Sequence, residues 1–146
     1  MIRQARADDL PTFARLTNRA YSPYVPMLGR KPTPMERDYR PLQAAGCIWI
    51  TDDLKGGIVL EAAQDRLLIY SLVVDPDHHG HGIGQALLHF AKGRAQEAGV
   101  PALRLCTGAT MTRNLEVYSA FGFVETGRED FDLPASPTVV WMELPL

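Results

Sequence analysis

The stretch LLIYSLVVDPDHHGHGIGQALLHFA, Leu67 to Ala91, decides how the rest of the chain is read. Leu67 to Val74 is apolar and rich in β-branched and aromatic residues, the composition of a strand. Pro76 stops that run, because proline has no N–H to give a sheet. Gly80, Gly82 and Gly84 follow at alternate positions. From Gly82 to Ala98 a helix is expected, with Ile83, Ala86, Leu87, Phe90, Ala91 and Ala95 at helical spacing and Gly99 as its stop. Glycine permits positive φ and lets a ligand approach the backbone. Gly82 and Gly84 fall in the first helical turn, where amides lack intrahelical partners. Those N–H groups and the helix dipole form a site for an anion such as a pyrophosphate, with no lysine required. The other reading is a tight strand-to-helix turn with no ligand. A Walker A loop is excluded, since no GKS or GKT follows, and GxGxG is not the GxGxxG of a dinucleotide fingerprint. His78, His79 and His81 are too tightly spaced to converge on a metal, so no metal site is expected.

On the N-terminal side, AGCIWITDD (Ala45–Asp53) and GGIVLEA (Gly56–Ala62) read as two more strands. The turn-like separators TDDLKGG and AAQDR make these and RLLIYSLVV an antiparallel meander. Ile2 to Ala5 gives an opening strand. RADDLPTFARLTNRAYSPYV reads as a helix capped by Asp8 or Asp9, with Pro11 in its first turn and Pro23 and Pro26 ending it. MLGRKPTPMERDY begins as a loop, and TPMERDYRPL reads as a short second helix stopped near Pro41. On the C-terminal side, ALRLCT is a fifth strand reached by a crossover, hence parallel to its neighbour. MTRNLEVYSAF is a short helix ending at Gly122. FVETGREDFDL and TVVWMEL are the last two strands, with PASP between them. The fold class is α/β (α+β), a mixed central sheet of about seven strands in the order β-α-α-β-β-β-α-β-α-β-β, with residues 1–146 as a single domain.

Composition narrows the function classes. A chain of 146 residues with 46% apolar and 22% charged content suits one soluble globular domain. The formal net charge of −2 gives no reason to expect a nucleic-acid partner. No apolar run approaches the roughly 20 residues that span a membrane, and the opening MIRQARADDL is polar rather than a signal segment. Cys47 and Cys106 lie in apolar runs with no CxxC, so buried reduced thiols are expected. A soluble cytoplasmic protein follows as the expectation.

These features resemble the GNAT superfamily of acyl-CoA-dependent N-acyltransferases. The family's acyl-CoA motif is a strand, V-x-P, then Q or R followed by x-x-G-x-G/A. Here it stands as Val74-Asp75-Pro76 and His79-Gly80-His81-Gly82-Ile83-Gly84, with His79 where the family has arginine or glutamine. Asn114, Tyr118, Gly122 and Phe123 match a second family segment, N-x-x-x-Y-x-x-x-G-F/Y. AYSPYVPMLGRKPTPMERDY is similar to an N-terminal segment of one subgroup of small bacterial-type members. The resemblance implies a GNAT fold in which the fourth strand carries a bulge and splays from the fifth. It implies acetyl-CoA as cofactor, lying in that splay like a missing strand. Main-chain groups of Leu72, Val73 and Val74 would pair with the pantetheine. His79, Gly80, His81, Gly82, Ile83 and Gly84 would hold the phosphates, Asn114 would contact the cofactor, and Tyr118 would lie near the thiol sulfur. The implied reaction is attack by an uncharged primary amine, of a small molecule or a protein, on the thioester through a tetrahedral intermediate.

Such a transfer needs an acid, a carbonyl donor and a route for the amine proton. Tyr118 is the candidate acid, since a phenol with a pKa of about 10 keeps its proton at neutral pH. The Val74 amide is the candidate carbonyl donor. The base is open: related sequences carry a carboxylate where Tyr70 stands, so Glu61 through water, or Ser71 and Tyr70 ordering a water chain, are the candidates. Tyr21, Tyr24, Arg30 and Asp38 are expected to line the acceptor side. Trp49 and Trp141 are expected to bury area in the sheet or at a contact. No motif places a histidine to activate Cys106, so a covalent acyl-cysteine is not expected. The alternative reading is a non-catalytic acyl-CoA-binding sensor on the same fold. A homodimer is a candidate assembly.

Overall fold

The computed structural model describes residues 1–130 and 138–146. Its strands are β1 (Ile2–Gln4), β2 (Ile48–Thr51), β3 (Gly56–Ala63), β4 (Arg66–Val74), β5 (Ala102–Gly108), β6 (Val124–Asp130) and β7 (Thr138–Pro145). Its helices are α1 (Leu10–Tyr21), α2 (Val25–Leu28), α3 (Arg40–Ala44), α4 (Ile83–Ala98) and α5 (Thr112–Phe121). The strands form one seven-stranded sheet in the order β1-β2-β3-β4-β5-β7-β6. Among the described residues β4 and β5 are the parallel pair, joined through α4, and the other pairs are antiparallel. The expected meander and crossover are both present.

Strand alternation divides the core between the two faces of the sheet. Ile58 and Leu60 of β3 point to the face covered by α4, where Leu87, Leu88, Ala91 and Ala95 meet them together with Leu103 and Leu105 of β5. Val59, between them, points to the other face with Phe13 and Leu16 of α1. Each large apolar side chain so buried stabilises the fold by about 1.5–3 kcal/mol. Helix α1 covers the meander half of its face. Farther along the same face, Arg104 of β5 lies 4.2 Å over the ring of Trp141, and Glu143 accepts from Arg66 at 3.2 Å.

The structure differs from the expectation at particular residues. Pro23 and Pro26 do not end the helical stretch: each sits in the first turn of a new piece, the 3-10 turn Ser22–Tyr24 and α2, where a missing N–H costs nothing. Pro41 likewise opens α3 instead of closing a helix begun at Thr33. Asp9 does not cap α1 with its carboxylate. It reaches back to the Arg6 amide at 2.7 Å and to Arg3 at 2.8 and 3.1 Å. Cys106 is solvent-accessible and not buried, and Cys47 is half-buried. The expected strand FVETGREDFDL is observed as Val124–Asp130, and its end FDL, with PASP, lies outside the described residues.

Candidate active site

The sheet opens along β4. Its antiparallel pairing with β3 continues to Val74↔Gly56. Its parallel pairing with β5 stops after Leu67↔Leu103, Leu68↔Arg104 and Ile69↔Leu105. Beyond Ile69 one edge of β4 therefore faces an opening, with the rest of β5 on the far side. A bulge coincides with the parting: Val59 pairs with Ser71 and Leu60 with Ile69, so Tyr70 has no counterpart. The extra residue changes which face the strand presents. Ile69 packs on the α4 side, whereas Tyr70 and Val73 pack on the α1 side. Buried Ser71 meets α1, with its Oγ 3.1 Å from the Tyr21 hydroxyl. The Asp75 amide donates to the Lys55 carbonyl at 2.8 Å. Backbone alternation then directs the N–H and C=O of Leu72 and Val74 away from β3, into the opening. An extended ligand fits that unpaired edge.

Below the opening, Asp75 and Pro76 turn the chain toward α4. The Asp75 carboxylate accepts from the Asp77 amide at 3.0 Å. Arg19 of α1 binds Asp75 and Asp77, each at 2.9 Å. Lys55 Nζ lies 2.7 Å from His78 Nε2. The turn is thus braced from α1 and from the β2–β3 connection, by Arg19 and Lys55, which the sequence reading did not single out. Gly80 and Gly82 have φ of +82° and +79°, and a Cβ on either would meet nothing within 4 Å. Backbone conformation and open approach, not crowding, require glycine there. Among the described residues, the first amide after His78 that donates to a backbone carbonyl is that of Ala86, to Gly82 at 3.0 Å. The amides from His79 to Gln85 are left as donors at the head of the 16-residue α4. That row of N–H groups fits a phosphate. His79 and His81 are exposed beside it.

Across the opening stands α5. Tyr118 packs edge-on to Phe123, ring centres 5.8 Å apart, and against the apolar cluster on the α4 side of the sheet. Burial pushes the Tyr118 phenol well above its ordinary range. Burial also pushes Tyr21 up to about 12, against the opposing effect of its bond with Ser71. Both remain O–H donors at neutral pH. The surrounding protein raises the Cys106 thiol as well, with Arg104 acting against it. Asn114 Nδ2 donates to Thr107 Oγ1 at 3.4 Å, which ties the start of α5 to the end of β5.

Glu61 and Tyr70 come together with Ser71 on the α1 face, as candidates for the base would have to. Both oxygens of Glu61 are nevertheless held by Arg37, at 2.7 and 3.0 Å. The same guanidinium lies 4.3 Å over the Tyr70 ring. Arg37, like Arg19 and Lys55, is a residue that sequence reasoning missed. It stands 24 positions from its partner, beyond the reach of any local pattern. Arg30 and Asp38 are exposed and make local contacts, Arg30 with the Lys31 carbonyl at 3.5 Å and Asp38 with Arg40 at 3.0 Å. They are not brought to the tyrosines. A cavity of about 380 Å³ lies on the other flank of the loop, lined by Asp52, Asp53, His81 and Gly82 among others, and touches no residue of β4 or β5.

Comparison with known proteins adds a family and a fold. Residues 11–123 match the acetyltransferase (GNAT) family. The ribosomal protein bS18-alanine N-acetyltransferase of Escherichia coli strain K12 is 28% identical over 90 residues, covering 54% of this chain and 61% of that protein. The crystal structure of the ribosomal-protein-S18-alanine N-acetyltransferase from Escherichia coli superposes with a TM-score of 0.76 at 19% identity, over 99% of this chain and 92% of that one. The PaiA N-acetyltransferase from Thermoplasma acidophilum, crystallised with coenzyme A, gives a TM-score of 0.72 at 18% identity, over 100% and 98% of the two chains. The chain spans less than two thirds of the length of the first curated relatives it matches.

Proposed function

The chain belongs to the acetyltransferase (GNAT) family, and from that premise we propose that it moves an acetyl group from acetyl-coenzyme A to a primary amine. One observation carries the reading: the unpaired edge of β4 runs directly into a row of free amides at the head of α4. An extended arm ending in a diphosphate suits that combination. The Thermoplasma protein of the same fold supplies the ligand to test, coenzyme A.

Acetyl-coenzyme A supplies an activated carbonyl as a thioester. The N–H groups from His79 to Gly84 bind the diphosphate, and the main chain of Leu72 and Val74 aligns the arm above it. The Val74 N–H donates to the carbonyl oxygen as charge develops there. Tyr118, held as a neutral phenol, hands a proton to the leaving sulfur. Asn114 holds the start of α5 against β5, and so sets the position of Tyr118. Tyr21 and Tyr24 form the acceptor wall with Tyr70 and Ser71. Residues 1–146 act as a single acyltransferase domain, and the acceptor is a small-molecule or protein amine.

Titration calorimetry with coenzyme A, followed by thiol release from acetyl-coenzyme A across an amine panel, tests the proposal. Saturable binding and amine-dependent release are expected. Folded protein with no affinity for coenzyme A would overturn it. Binding without release from any amine would leave only the reading of an acyl-CoA-binding protein.

A further inference from the structure

We propose that Arg37 sets the class of acceptor: by neutralising Glu61 it leaves an uncharged, aromatic acceptor wall, which selects a weakly basic aryl amine over an alkyl ammonium. The inference rests on the transferase reading above. Its observations are independent of the cofactor loop.

Tyr21 and Tyr70 pack on the α1 side of the sheet, and the Tyr21 hydroxyl lies 3.1 Å from Ser71 Oγ at the opening. Among the described residues, Glu61 is the carboxylate beside Tyr70, and both of its oxygens are engaged by one guanidinium. The guanidinium is itself stacked on Tyr70 at 4.3 Å. Pair and ring form one packed, neutral unit. Farther along, Arg104 and Glu129 act in opposite directions on the Cys106 thiol, and Arg104 stacks on Trp141 at 4.2 Å. An alkyl ammonium entering beside Tyr70 would lose its hydration, and the carboxylate there, Glu61, is already committed to Arg37. Cation–π attraction to phenol rings is weaker than that loss. An aryl amine is neutral at physiological pH, and its flat ring can lie against tyrosine faces.

The chemistry also fits. The nitrogen lone pair forms the N–C bond while the C–S bond breaks. The proton lost by nitrogen balances the one taken up by sulfur. A nitrogen that arrives as free base needs no carboxylate to deprotonate it first, which answers why Glu61 can be committed to Arg37.

The test compares 4-methylaniline with 4-methylbenzylamine, which differ by one methylene, as acceptors for the intact protein with acetyl-coenzyme A at neutral pH. The aniline is expected to have a kcat/KM at least about tenfold higher. Arg37→Met frees Glu61 and is expected to shift the ratio toward the benzylamine by about tenfold or more. Adding Glu61→Gln to Arg37→Met makes the wall neutral again and should restore the aniline preference. A merely structural role for Arg37 would lower both rates and leave their ratio unmoved, and that result would overturn the proposal. So would a wild-type enzyme that prefers the benzylamine, whatever the variants do, and this arm needs no variant to fold. Absence of thiol release with every amine would sink the transferase reading as well, which separates the two failures.

Discussion

The Tyr118 hydroxyl makes no hydrogen bond within 3.5 Å among the described residues, yet burial keeps it protonated. A donor without a partner is available to a ligand. Replacing it by hydrogen should leave the fold almost untouched, because a hydroxyl with no partner contributes little to stability. Tyr118→Phe is therefore expected to lower kcat by about 10- to 100-fold while the affinity for coenzyme A, measured by calorimetry, stays within about threefold. A comparable loss of affinity would make Tyr118 a binding residue instead. Asp9 is the contrasting case, a structural carboxylate. Its bonds to Arg3, then to the Arg6 amide, hold its carboxyl down to about 2, below the unfolded value of 3.8. A depressed acid stabilises the fold above its unfolded pKa, and that stability drains away as pH falls through about 4 toward 2. Asp9→Asn should cost about 1–2 kcal/mol near pH 7, and thermal melts of the two proteins should converge as the pH is lowered across that window. Such residue-scale facts were unevenly legible in the sequence. Tyr118 stood in a spaced motif, whereas the Arg37–Glu61 pair joins two segments with no shared pattern. Asp38, expected on the acceptor side, is instead taken up by Arg40 two residues on.

At the scale of elements, the strand-loop-helix unit from β4 to α4 was legible because glycine and proline punctuate it. The prolines after α1 misled for a definite reason. A proline that ends one helix and a proline that opens the next look alike in one dimension, and only the backbone that follows separates them. The bulge in β4 was expected only through the family resemblance, since it is a mismatch of counts between two strands that no local pattern marks. The loop offers a pair of substitutions that separates stability from binding. Gly82 needs a positive φ, so Gly82→Ala should destabilise by about 1 kcal/mol and weaken coenzyme A binding together. Gly84 lies inside α4, and a Cβ there would sit an ordinary 3.7 Å from Val74 Cγ2. Gly84→Ala should raise stability by about 0.5–1 kcal/mol, yet its methyl stands beside the row of amides, so affinity for coenzyme A should fall. Denaturant melts and calorimetry on both variants check this. A Gly84→Ala protein that binds as tightly as the parent would place the diphosphate away from the first turn of α4.

The opening itself belongs to the whole molecule. β4 comes from the antiparallel meander and β5 from the crossover unit, and they share only the pairs from Leu67↔Leu103 to Ile69↔Leu105. β7 pairs the other edge of β5 along its whole length, from Ala102↔Pro145 to Gly108↔Val139, so past the seam β5 keeps only that partner. β7 lies between β5 and β6, an order that strand-by-strand reading could not supply, because it depends on which edge the last hairpin joins. The two halves of the sheet, joined on the α4 face by one apolar cluster, therefore part from a common seam. Cys106 is the first residue of β5 past that seam, and its accessibility follows from the divergence. It reports on the opening without taking part in the chemistry proposed. The surrounding protein raises its thiol above the ordinary range, so less thiolate is present at neutral pH and alkylation by iodoacetamide should be slower than for a free thiol. If coenzyme A lies between the half-sheets, saturating ligand should slow the labelling of Cys106 further, by about tenfold or more. Labelling of half-buried Cys47, on the meander, should not change. Mass spectrometry of the two peptides against time, with and without coenzyme A, reads both rates in one experiment. Equal rates at Cys106 in the two conditions would mean that the ligand binds somewhere other than the parting of β4 and β5.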